Sequence, residues 1–212
     1  MKPSPLVLVG GGGHCASCIG VVESSGRWEI KGIVDLPNKK GELILGYEVI
    51  GTDDDLPILA QRFGAALVSV GQIKSTEIRQ RLLYLSRDAG FELPVVVAST
   101  ASVSRHASID FGSIVMHGAV INVRAQVGFG CIINTAALIE HDAEIDALCH
   151  VSTRAVVNGG CRVGRGSFIG SGAVLRHNTT ICPGAIIGAG AVVVNDIDEV
   201  GVYVGNPARK IP

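Results

Sequence analysis

The sequence predicts an α/β domain of the half-Rossmann kind followed by a parallel β-helix, and three observations lead to this fold class. Of the 212 residues, 47% are hydrophobic, only 4% are aromatic and 28 are glycine, which is typical of many short strands joined by tight corners. A strand, a glycine loop and a helix open the chain. A six-residue repeat then runs through its second half.

The N-terminal part, residues 1–97, is predicted to alternate between short apolar strands and helices. In chain order these are a strand over residues 6–9, a helix over 14–25, strands over 29–34 and 65–70, a helix over 75–89 with Ser75 or Thr76 as its N-cap, and a strand over 94–97. Because this length has room for only half of a dinucleotide fold, we expect it to bind a nucleotide sugar or a mononucleotide rather than NAD.

The loop between the first strand and the first helix carries a phosphate-binding pattern. Gly11-x-Gly13-x-x-Ala16 matches the relaxed fingerprint in which glycines let a phosphate approach a helix N-terminus. Asp35 ends the next strand, where an acidic side chain can reach a ribose hydroxyl. The competing interpretation is that the glycines form only a tight turn.

The C-terminal part, residues 98–212, contains two columns of residues with a period of six. The first column holds only branched aliphatic residues: Val103, Ile109, Val115, Ile121, Val127, Ile133, Ile139, Ile145, Val151, Val157, Val163, Ile169, Leu175, Ile181, Ile187 and Val193. The second column, two residues earlier in each hexad, holds only small ones: Ala101, Ala107, Ser113, Ala119, Ala125, Cys131, Ala137, Ala143, Cys149, Ala155, Cys161, Ser167, Ala173, Thr179, Ala185 and Ala191.

Both columns are predicted to point into the centre of a β-helix. A spacing of two residues puts them on the same face of a short strand, and three hexads close one triangular coil of about 18 residues. About five such coils fill residues 101–195. Cys131, Cys149 and Cys161 belong to the small column, so we expect them to be core residues and not nucleophiles.

Charge, hydropathy and cysteine spacing exclude several classes of protein. The formal net charge is −1 and the Lys and Arg residues are scattered, unlike those of a nucleic-acid binder. No apolar run is long enough for a membrane span and no signal-peptide pattern is present, so we expect a cytoplasmic protein with reduced thiols. Cys15 and Cys18 form a C-x-x-C without a second pair, which favours two small helix residues over a zinc site.

His141 is the histidine whose surroundings are prepared for chemistry. It lies two positions after an inward residue, so we expect it at a corner with its side chain outside the prism. Asp142 is adjacent, and the position stacked on His141 one coil later is Gly159, followed by Gly160. An uncovered imidazole, a carboxylate and exposed backbone N–H groups are the parts of a general base with an oxyanion donor. A surface histidine without a role is the alternative.

Four motifs in this chain resemble those of one enzyme family. They are Val9-Gly10-Gly11-Gly12-Gly13-His14, Asn134-Thr135-Ala136-Ala137-Leu138-Ile139-Glu140-His141-Asp142, His150-Val151-Ser152 and Gly205-Asn206-Pro207-Ala208-Arg209-Lys210. In this order they resemble the hexapeptide-repeat nucleotide-sugar N-acetyltransferases of the sialic acid and bacillosamine type. The resemblance covers essentially the whole chain, and it implies a left-handed coil, acetyl-CoA as co-substrate, no metal, and a homotrimer with sites at subunit interfaces.

The resemblance also implies roles for individual residues. The base falls on His141 and its orienting carboxylate on Asp142, where the bacillosamine branch has a glutamate. Acetyl-CoA contacts fall on His150 and Gly159. The substrate positions are Gly12, Gly13, His14, Asp35 and Gly71 for the nucleotide and Asn134 for the sugar side. Gln72 departs from the asparagine of the bacillosamine enzymes, which leaves the identity of the base open.

The residues themselves suggest where the rest of the coenzyme lies. Small residues along one coil edge, Gly170, Gly172, Gly188 and Gly190, predict a smooth groove for a pantetheine arm. Arg209 or Lys210, after the Gly-Asn-Pro turn, is predicted to meet a phosphate.

The expected reaction is direct transfer of an acetyl group to the 4-amino group of a nucleotide-linked 4-amino-4,6-dideoxyhexose. With the base on the β-helix and the nucleotide loop in the other domain, the acceptor must bridge them, and carbon 4 lies across the sugar ring from the diphosphate. The resemblance favours GDP-perosamine, and with it lipopolysaccharide O-antigen biosynthesis, ahead of a UDP-linked sugar of the bacillosamine pathway.

Other functions compete with this prediction. A zinc enzyme of the γ-carbonic-anhydrase kind needs three converging histidines, but the candidates fall at different offsets in the coil: His106, His117, His141, His150 and His177. A non-catalytic nucleotide-sugar scaffold or sensor and an acceptor other than a sugar amine stay open. Cys182 is the only cysteine that leaves an acetyl-enzyme open.

Overall fold

The computed structural model describes residues 2–212 and divides them into two compact units. The first unit comprises residues 2–71 and Glu77–Ser99. The second comprises Gln72–Thr76 and Thr100–Pro212. The short segment 72–76 therefore belongs to the second unit, although the chain on both sides of it belongs to the first.

The first unit is built on a five-stranded sheet. Its elements are β1 (Ser4–Val9), α1 (Gly13–Ser25), β2 (Trp28–Val34), β3 (Leu43–Ile44), β4 (Tyr47–Gly51), α2 (Leu56–Phe63), β5 (Ala66–Val68), α3 (Glu77–Asp88) and β6 (Val96–Val97). The sheet has the order β3-β4-β2-β1-β5, in which β3 is antiparallel to β4 and the other pairings are parallel. The predicted βαβ unit is therefore confirmed.

The local sequence explains the first strand and helix. Leu6, Val7 and Leu8 of β1 are completely buried, as expected for a central strand covered on both faces. The helix α1 begins within the glycine loop and ends at Gly26, whose φ of 62° is the left-handed conformation that closes many helices. This end is the one that the sequence predicts.

The sequence predicts no element between β2 and β5, where the structure has the β3-β4 hairpin and α2. Leu45 and Gly46 both have positive φ, 49° and 88°, which makes the two-residue turn typical of hairpins. Thr52 and Asp55 form a capping box just before α2, with the Thr52 N–H donating to Asp55 Oδ2 at 2.8 Å. Leu43 and Leu45 are exposed, so this region lacks the alternation by which a strand is recognised.

The second unit consists of short strands at six-residue intervals. They are β7 (Ser102–Val103), β8 (Ser108–Ile109), β9 (Ile114–Val115), β10 (Val120–Ile121), β11 (Gln126–Val127), β12 (Ile132–Ile133), β13 (Leu138–Ile139), β14 (Glu144–Ile145), β15 (His150–Val151), β16 (Val156–Val157), β17 (Arg162–Val163), β18 (Phe168–Ile169), β19 (Val174–Leu175), β20 (Thr180–Ile181), β21 (Ile186–Ile187), β22 (Val192–Val193), β23 (Val202–Val204) and β24 (Arg209–Ile211).

These strands form the three faces of a triangular prism. Face A contains β7, β10, β13, β16, β19 and β22; face B contains β8, β11, β14, β17 and β20; face C contains β9, β12, β15, β18, β21, β23 and β24. Within each face the two-residue strands pair in parallel with the strand one coil away, as Ile121 does with Ile139. Only β24 runs antiparallel, against β23. The predicted coil is therefore confirmed.

The two predicted columns form the core of the prism. The branched residues from Val115 to Val193 and the small residues from Ser113 to Ala191 are all buried. Val103 and Ile109, in the first coil, are half-buried. The three cysteines of the small column are completely buried, which confirms that they pack in the core: Cys131, Cys149 and Cys161.

Candidate active site

His141 lies at the corner where the chain passes from face A to face B, between β13 and β14. The following residue, Asp142, has φ 60°, and Arg124 in the preceding coil has φ 59° at the equivalent position. A left-handed residue at this point turns the chain sharply. Coil stacking therefore places Arg124 and Asp142 side by side, with the imidazole next to them.

The three side chains form a hydrogen-bonded chain. His141 Nδ1 lies 2.8 Å from Asp142 Oδ2. Arg124 donates two hydrogen bonds to the same carboxylate, from Nε to Oδ1 at 2.5 Å and from Nη2 to Oδ2 at 2.8 Å. The Arg124 guanidinium, followed by His141, holds the pKa of Asp142 well below its usual range. An ionised Asp142 accepts from Nδ1–H, which leaves Nε2 of the imidazole to accept a proton.

Gly159 makes room for the imidazole. A Cβ atom at this position would lie 2.7 Å from His141 Nε2, so only glycine fits beneath the ring. Within residues 2–212, no acceptor is found for the Gly159 N–H. The Gly160 N–H donates to the His141 carbonyl oxygen at 3.1 Å. The expectation of two exposed N–H groups is therefore wrong for Gly160, because coil stacking uses its donor.

Arg124 is the residue of this corner that the sequence analysis missed. It precedes Asp142 by 18 residues, one full coil. The period that relates His141 to Gly159 also relates Arg124 to Asp142. The pairing was therefore predictable from the sequence, because residues of opposite charge occupy the same corner position in successive coils, although no motif marks them.

The predicted residues Asn134 and His150 lie elsewhere on the prism. Asn134 follows β12 at the corner between faces C and A, and His150 belongs to β15 on face C. His150 is only 6% exposed. Its Nδ1 lies 2.7 Å from the Gln72 carbonyl oxygen, and its Nε2 lies 3.0 Å from Asn134 Nδ2. Donation from Nδ1 to the carbonyl makes Nε2 the acceptor of the Asn134 amide, so both side chains already belong to one network.

Gly170 and Gly188 stack in the same corner column as Asn134. A Cβ atom at Gly170 would lie 2.6 Å from the backbone of the next coil, and one at Gly188 would lie 2.7 Å from Val204 Cγ1. Close packing of successive coils thus explains why both residues are glycine. Arg209 is exposed on β24 and donates to the Ala208 carbonyl at 2.9 Å. A coenzyme groove along this corner stays a prediction.

The predicted nucleotide loop lies at the end of β1, next to the end of β2. Asp35 Oδ2 accepts from the Gly11 N–H at 3.0 Å and from Lys39 Nζ at 2.9 Å. Asp35 Oδ1 accepts from the Leu36 N–H at 2.8 Å. Asp35 therefore ties the loop to β2, a task that the ribose prediction did not include.

The remaining loop residues are open or close to one another. No heavy atom lies within 4 Å of a Cβ built on Gly12 or Gly13. A Cβ on Gly71 would lie 3.5 Å from the His14 side chain, so these two residues are neighbours. The structure thus brings together the nucleotide positions Gly12, Gly13, His14 and Gly71 on the carboxyl side of the sheet, where α/β folds bind nucleotides.

Comparisons with known proteins agree on both units. Residues 5–83 match the PglD N-terminal domain, and residues 160–195 match the bacterial transferase hexapeptide (six repeats). A variant of perosamine N-acetyltransferase from Caulobacter crescentus, in complex with CoA and GDP-perosamine, is 32% identical over 99% of this chain and 97% of its own, with a TM-score of 0.92. The acetyltransferase domain of PglB from Neisseria gonorrhoeae FA1090, in complex with acetyl coenzyme A, is 35% identical over 99% of this chain and 100% of its own, with a TM-score of 0.91.

The chain belongs to the hexapeptide-repeat nucleotide-sugar N-acetyltransferases. It uses acetyl-CoA, and its β-helix is of the left-handed kind. WeeI from Acinetobacter baumannii AYE shares the fold with a TM-score of 0.84 at 20% identity, over 98% of this chain and 100% of its own. No match was found among the curated proteins.

Cys182 and the candidate base His141 lie at different corners of the β-helix of this N-acetyltransferase. Cys182 follows β20 at the corner between faces B and C, whereas His141 lies at the corner between faces A and B. Burial raises the pKa of the Cys182 thiol.

Among residues 2–212, no group of His, Cys, Asp or Glu has the arrangement of a metal site. None of the helices described is long and apolar enough to cross a bilayer.

The predicted site residues of the N-acetyltransferase's β-helix lie on opposite edges of face A. His141 and Gly159 occupy the edge shared with face B, and Asn134, Gly170 and Gly188 occupy the edge shared with face C. Between the two edges runs a column of half-buried aliphatic side chains: Val120, Leu138, Val156, Val174 and Val192. One protomer therefore does not bring all of these residues together.

Proposed function

We propose that this enzyme transfers the acetyl group of acetyl-CoA to the 4-amino group of a nucleotide-linked 4-amino-4,6-dideoxyhexose, with GDP-perosamine as the first candidate. The observation that carries the proposal is the arrangement of His141, Asp142 and Gly159 at one corner of the β-helix. The perosamine N-acetyltransferase that binds CoA and GDP-perosamine, similar along nearly its whole length, supports the choice of acceptor.

His141 acts as the general base. A sugar amine is protonated at neutral pH and must lose a proton before or during its attack on the thioester. Nε2 of His141 accepts that proton, because the bond from Nδ1 to Asp142 fixes the tautomer. The ammonium form first loses one further proton to solvent; the neutral amine nitrogen then bonds to the thioester carbon as Nε2 takes its proton, the carbon–sulfur bond breaks, and the imidazolium returns that proton to the departing CoA thiolate.

Gly159 stabilises the charge that develops on the thioester oxygen. Its N–H is unused by the coil and lies next to the imidazole, where no side chain blocks the approach of the thioester. A backbone donor of this kind lowers the barrier only if it points at the oxyanion. Direct transfer is preferred to an acetyl-cysteine intermediate, since Cys182 lies at another corner.

The active site is completed by a second protomer in a homotrimer. The aliphatic column on face A is the kind of surface that subunits bury, and its two edges carry the two halves of the predicted β-helix site. With face A packed against neighbouring copies, the edge with Asn134 and Gly170 of one protomer approaches the edge with His141 of the next. The acetyl-CoA contacts of His150, Gly188 and Arg209 belong to this part of the proposal.

The α/β unit holds the nucleotide end of the acceptor. Gly12 and Gly13 leave backbone donors at the start of α1 open for the diphosphate, with His14 and Gly71 beside them. Asp35 shapes the loop through its bond from the Gly11 N–H, and we place the ribose beside it. The product belongs to glycan assembly such as lipopolysaccharide O-antigen biosynthesis, in the cytoplasm where acetyl-CoA is made.

A UDP-linked 4-amino sugar is the second candidate acceptor. The motifs that resemble those of the bacillosamine enzymes support it. Gln72, whose side-chain amide donates to the Leu148 carbonyl oxygen, replaces the asparagine of the bacillosamine enzymes, which leaves the identity of the base open.

The deciding experiment compares kcat/KM for GDP- and UDP-linked 4-amino-4,6-dideoxyhexoses at a fixed acetyl-CoA concentration, with release of free CoA and the product mass as readouts. We expect N-acetylation and a preference of at least about tenfold, or about 1.4 kcal/mol, for the GDP sugar. A preference for the UDP sugar would overturn the nucleotide assignment. A preference for a 2-amino or hydroxyl acceptor would overturn the position of attack.

A further inference from the structure

Two arginine–carboxylate pairs join neighbouring coils of the β-helix, and they differ in geometry. Arg162 reaches Glu144 on face B through one contact of 3.5 Å. Arg124 holds Asp142 through two bonds, at 2.5 and 2.8 Å. The arginines are equally exposed, at 67% and 69% of their side-chain surface. Only the second pair is bidentate, and only its carboxylate also binds a histidine.

The bidentate geometry fixes the plane of the Asp142 carboxylate. An exposed ion pair by itself adds little to stability, but a guanidinium fork that holds both oxygens restricts rotation about the last side-chain bond. Asp142 Oδ2 is shared by Arg124 Nη2 and His141 Nδ1. By fixing the Asp142 carboxylate, Arg124 therefore also fixes the direction of the hydrogen bond between Asp142 Oδ2 and His141 Nδ1.

Several charged groups face the His141 imidazole. Asp142 binds it directly, and Arg124 lies behind Asp142. Glu140 accepts the His141 backbone N–H at 3.2 Å and is also held by Asn122 Nδ2 at 3.1 Å. His177 and its neighbour Arg176 occupy the same corner one coil beyond Gly159. Of these groups, Arg124 is the cation joined to the imidazole through one shared carboxylate.

We propose that Arg124 is a positioning residue for the acetyl transfer, which holds Asp142 in the plane that aligns His141 and offsets the carboxylate charge beside the imidazole. The proposal rests on the proposed function, in which His141 is the base. A bare carboxylate beside an imidazole favours its protonated form, whereas a carboxylate neutralised by arginine favours it less. Arg124 thereby fixes the direction of the Asp142 carboxylate and offsets its charge.

The test uses three variants of the full-length protein. Arg124→Met removes both the charge and the fork, Arg124→Lys keeps the charge without the fork, and Arg162→Met removes the matched pair that touches no histidine. Each is measured for the pH dependence of kcat/KM with acetyl-CoA and the acceptor. The titration of the His141 imidazole is followed in parallel by NMR, with its signal assigned through His141→Gln.

Arg124→Met is expected to lower kcat about 3- to 30-fold through misalignment. It should also move the acid limb of the profile and the His141 titration to higher pH, because the carboxylate is no longer offset by a cation. Arg124→Lys should have the acid limb of the profile at the same pH as the unaltered enzyme, but it should regain only part of kcat. Arg162→Met should leave both the acid limb and kcat unchanged. A purely structural arginine would move no titration.

The proposal fails if Arg124→Met leaves the acid limb and the His141 titration in place, or if Arg162→Met shifts them equally. Because the NMR titration needs no substrate, this failure is distinct from that of the proposed function. That function fails if the unaltered enzyme acetylates no nucleotide-linked amino sugar, whatever Arg124 does.

Discussion

The two units of this enzyme prepare their parts of the site in different ways. In the β-helix, the neighbours of a side chain are found 18 residues away along the chain, so His141 meets Gly159 and Arg124 meets Asp142 because the coil repeats. In the α/β unit, the loop around Gly11 is shaped by Asp35 from the next strand, through contacts that no period dictates. The proposed function thus assigns the chemistry to the regular unit and nucleotide recognition to the irregular one.

This difference predicts how substitutions divide between the two units. A change at the β-helix corner moves the reacting groups themselves and should appear in kcat. A change in the glycine loop alters how the acceptor is held and should appear in KM. The following variants are ordered by the size of the effect expected from that division.

His141→Ala should have the largest effect. It removes the proton acceptor and leaves the rest of the corner in place, so kcat should fall by roughly 10² to 10⁴ while the affinity for acetyl-CoA stays nearly the same. Steady-state kinetics, together with binding of CoA measured by calorimetry, separates the two quantities. His106→Ala, which changes an exposed histidine of the first coil, is the matched control and should stay fully active.

Asp142→Asn provides the internal check on the roles at this corner. It keeps the size of the side chain, replaces the charged acceptor with an amide and leaves the imidazole in place, so its loss should be smaller than that of His141→Ala. A larger loss would mean that the base and its partner have been assigned in the wrong order. Near-normal turnover of His141→Ala at neutral pH would remove His141 from the chemistry altogether.

Gly159→Ala should have the second largest effect. The added Cβ would lie 2.7 Å from His141 Nε2 and must push the ring aside, so kcat should fall about 10- to 100-fold, and Gly159→Val should abolish transfer. Thermal unfolding and circular dichroism should show an intact β-helix, and nucleotide binding should be unchanged. Gly20→Ala, in the middle of α1 with open space around it, is the control expected to be active. Retained activity of Gly159→Ala would break the link between this corner and the chemistry.

The same difference explains what could be predicted from the sequence. The inward columns, the coil length and the meeting of His141 with Gly159 follow from counting residues, since the β-helix is periodic. The β3-β4 hairpin was not predicted, because Leu43 and Leu45 face solvent and break the apolar–polar alternation of a strand. The hydrogen-bond network of Gln72, His150 and Asn134 was not predicted, because it joins residues that the coil repeat does not relate.

Asp35→Asn should have the smallest effect, and it probes the irregular unit. The carboxylate accepts from Gly11 and Leu36 and pairs with Lys39, so its charge holds the loop in shape while Gly12 and Gly13 stay open to a diphosphate. Asparagine keeps one of the two acceptor oxygens and loses the ion pair, and the loop should sample other conformations. We expect KM for the nucleotide sugar to rise roughly 5- to 20-fold with kcat and KM for acetyl-CoA nearly constant. Glu29→Gln removes a comparable exposed pair with Lys31, away from the loop, and should change neither constant. If Asp35→Asn instead lowers kcat at an unchanged KM, the α/β unit takes part in the chemical step, and the division of labour between the two units does not hold.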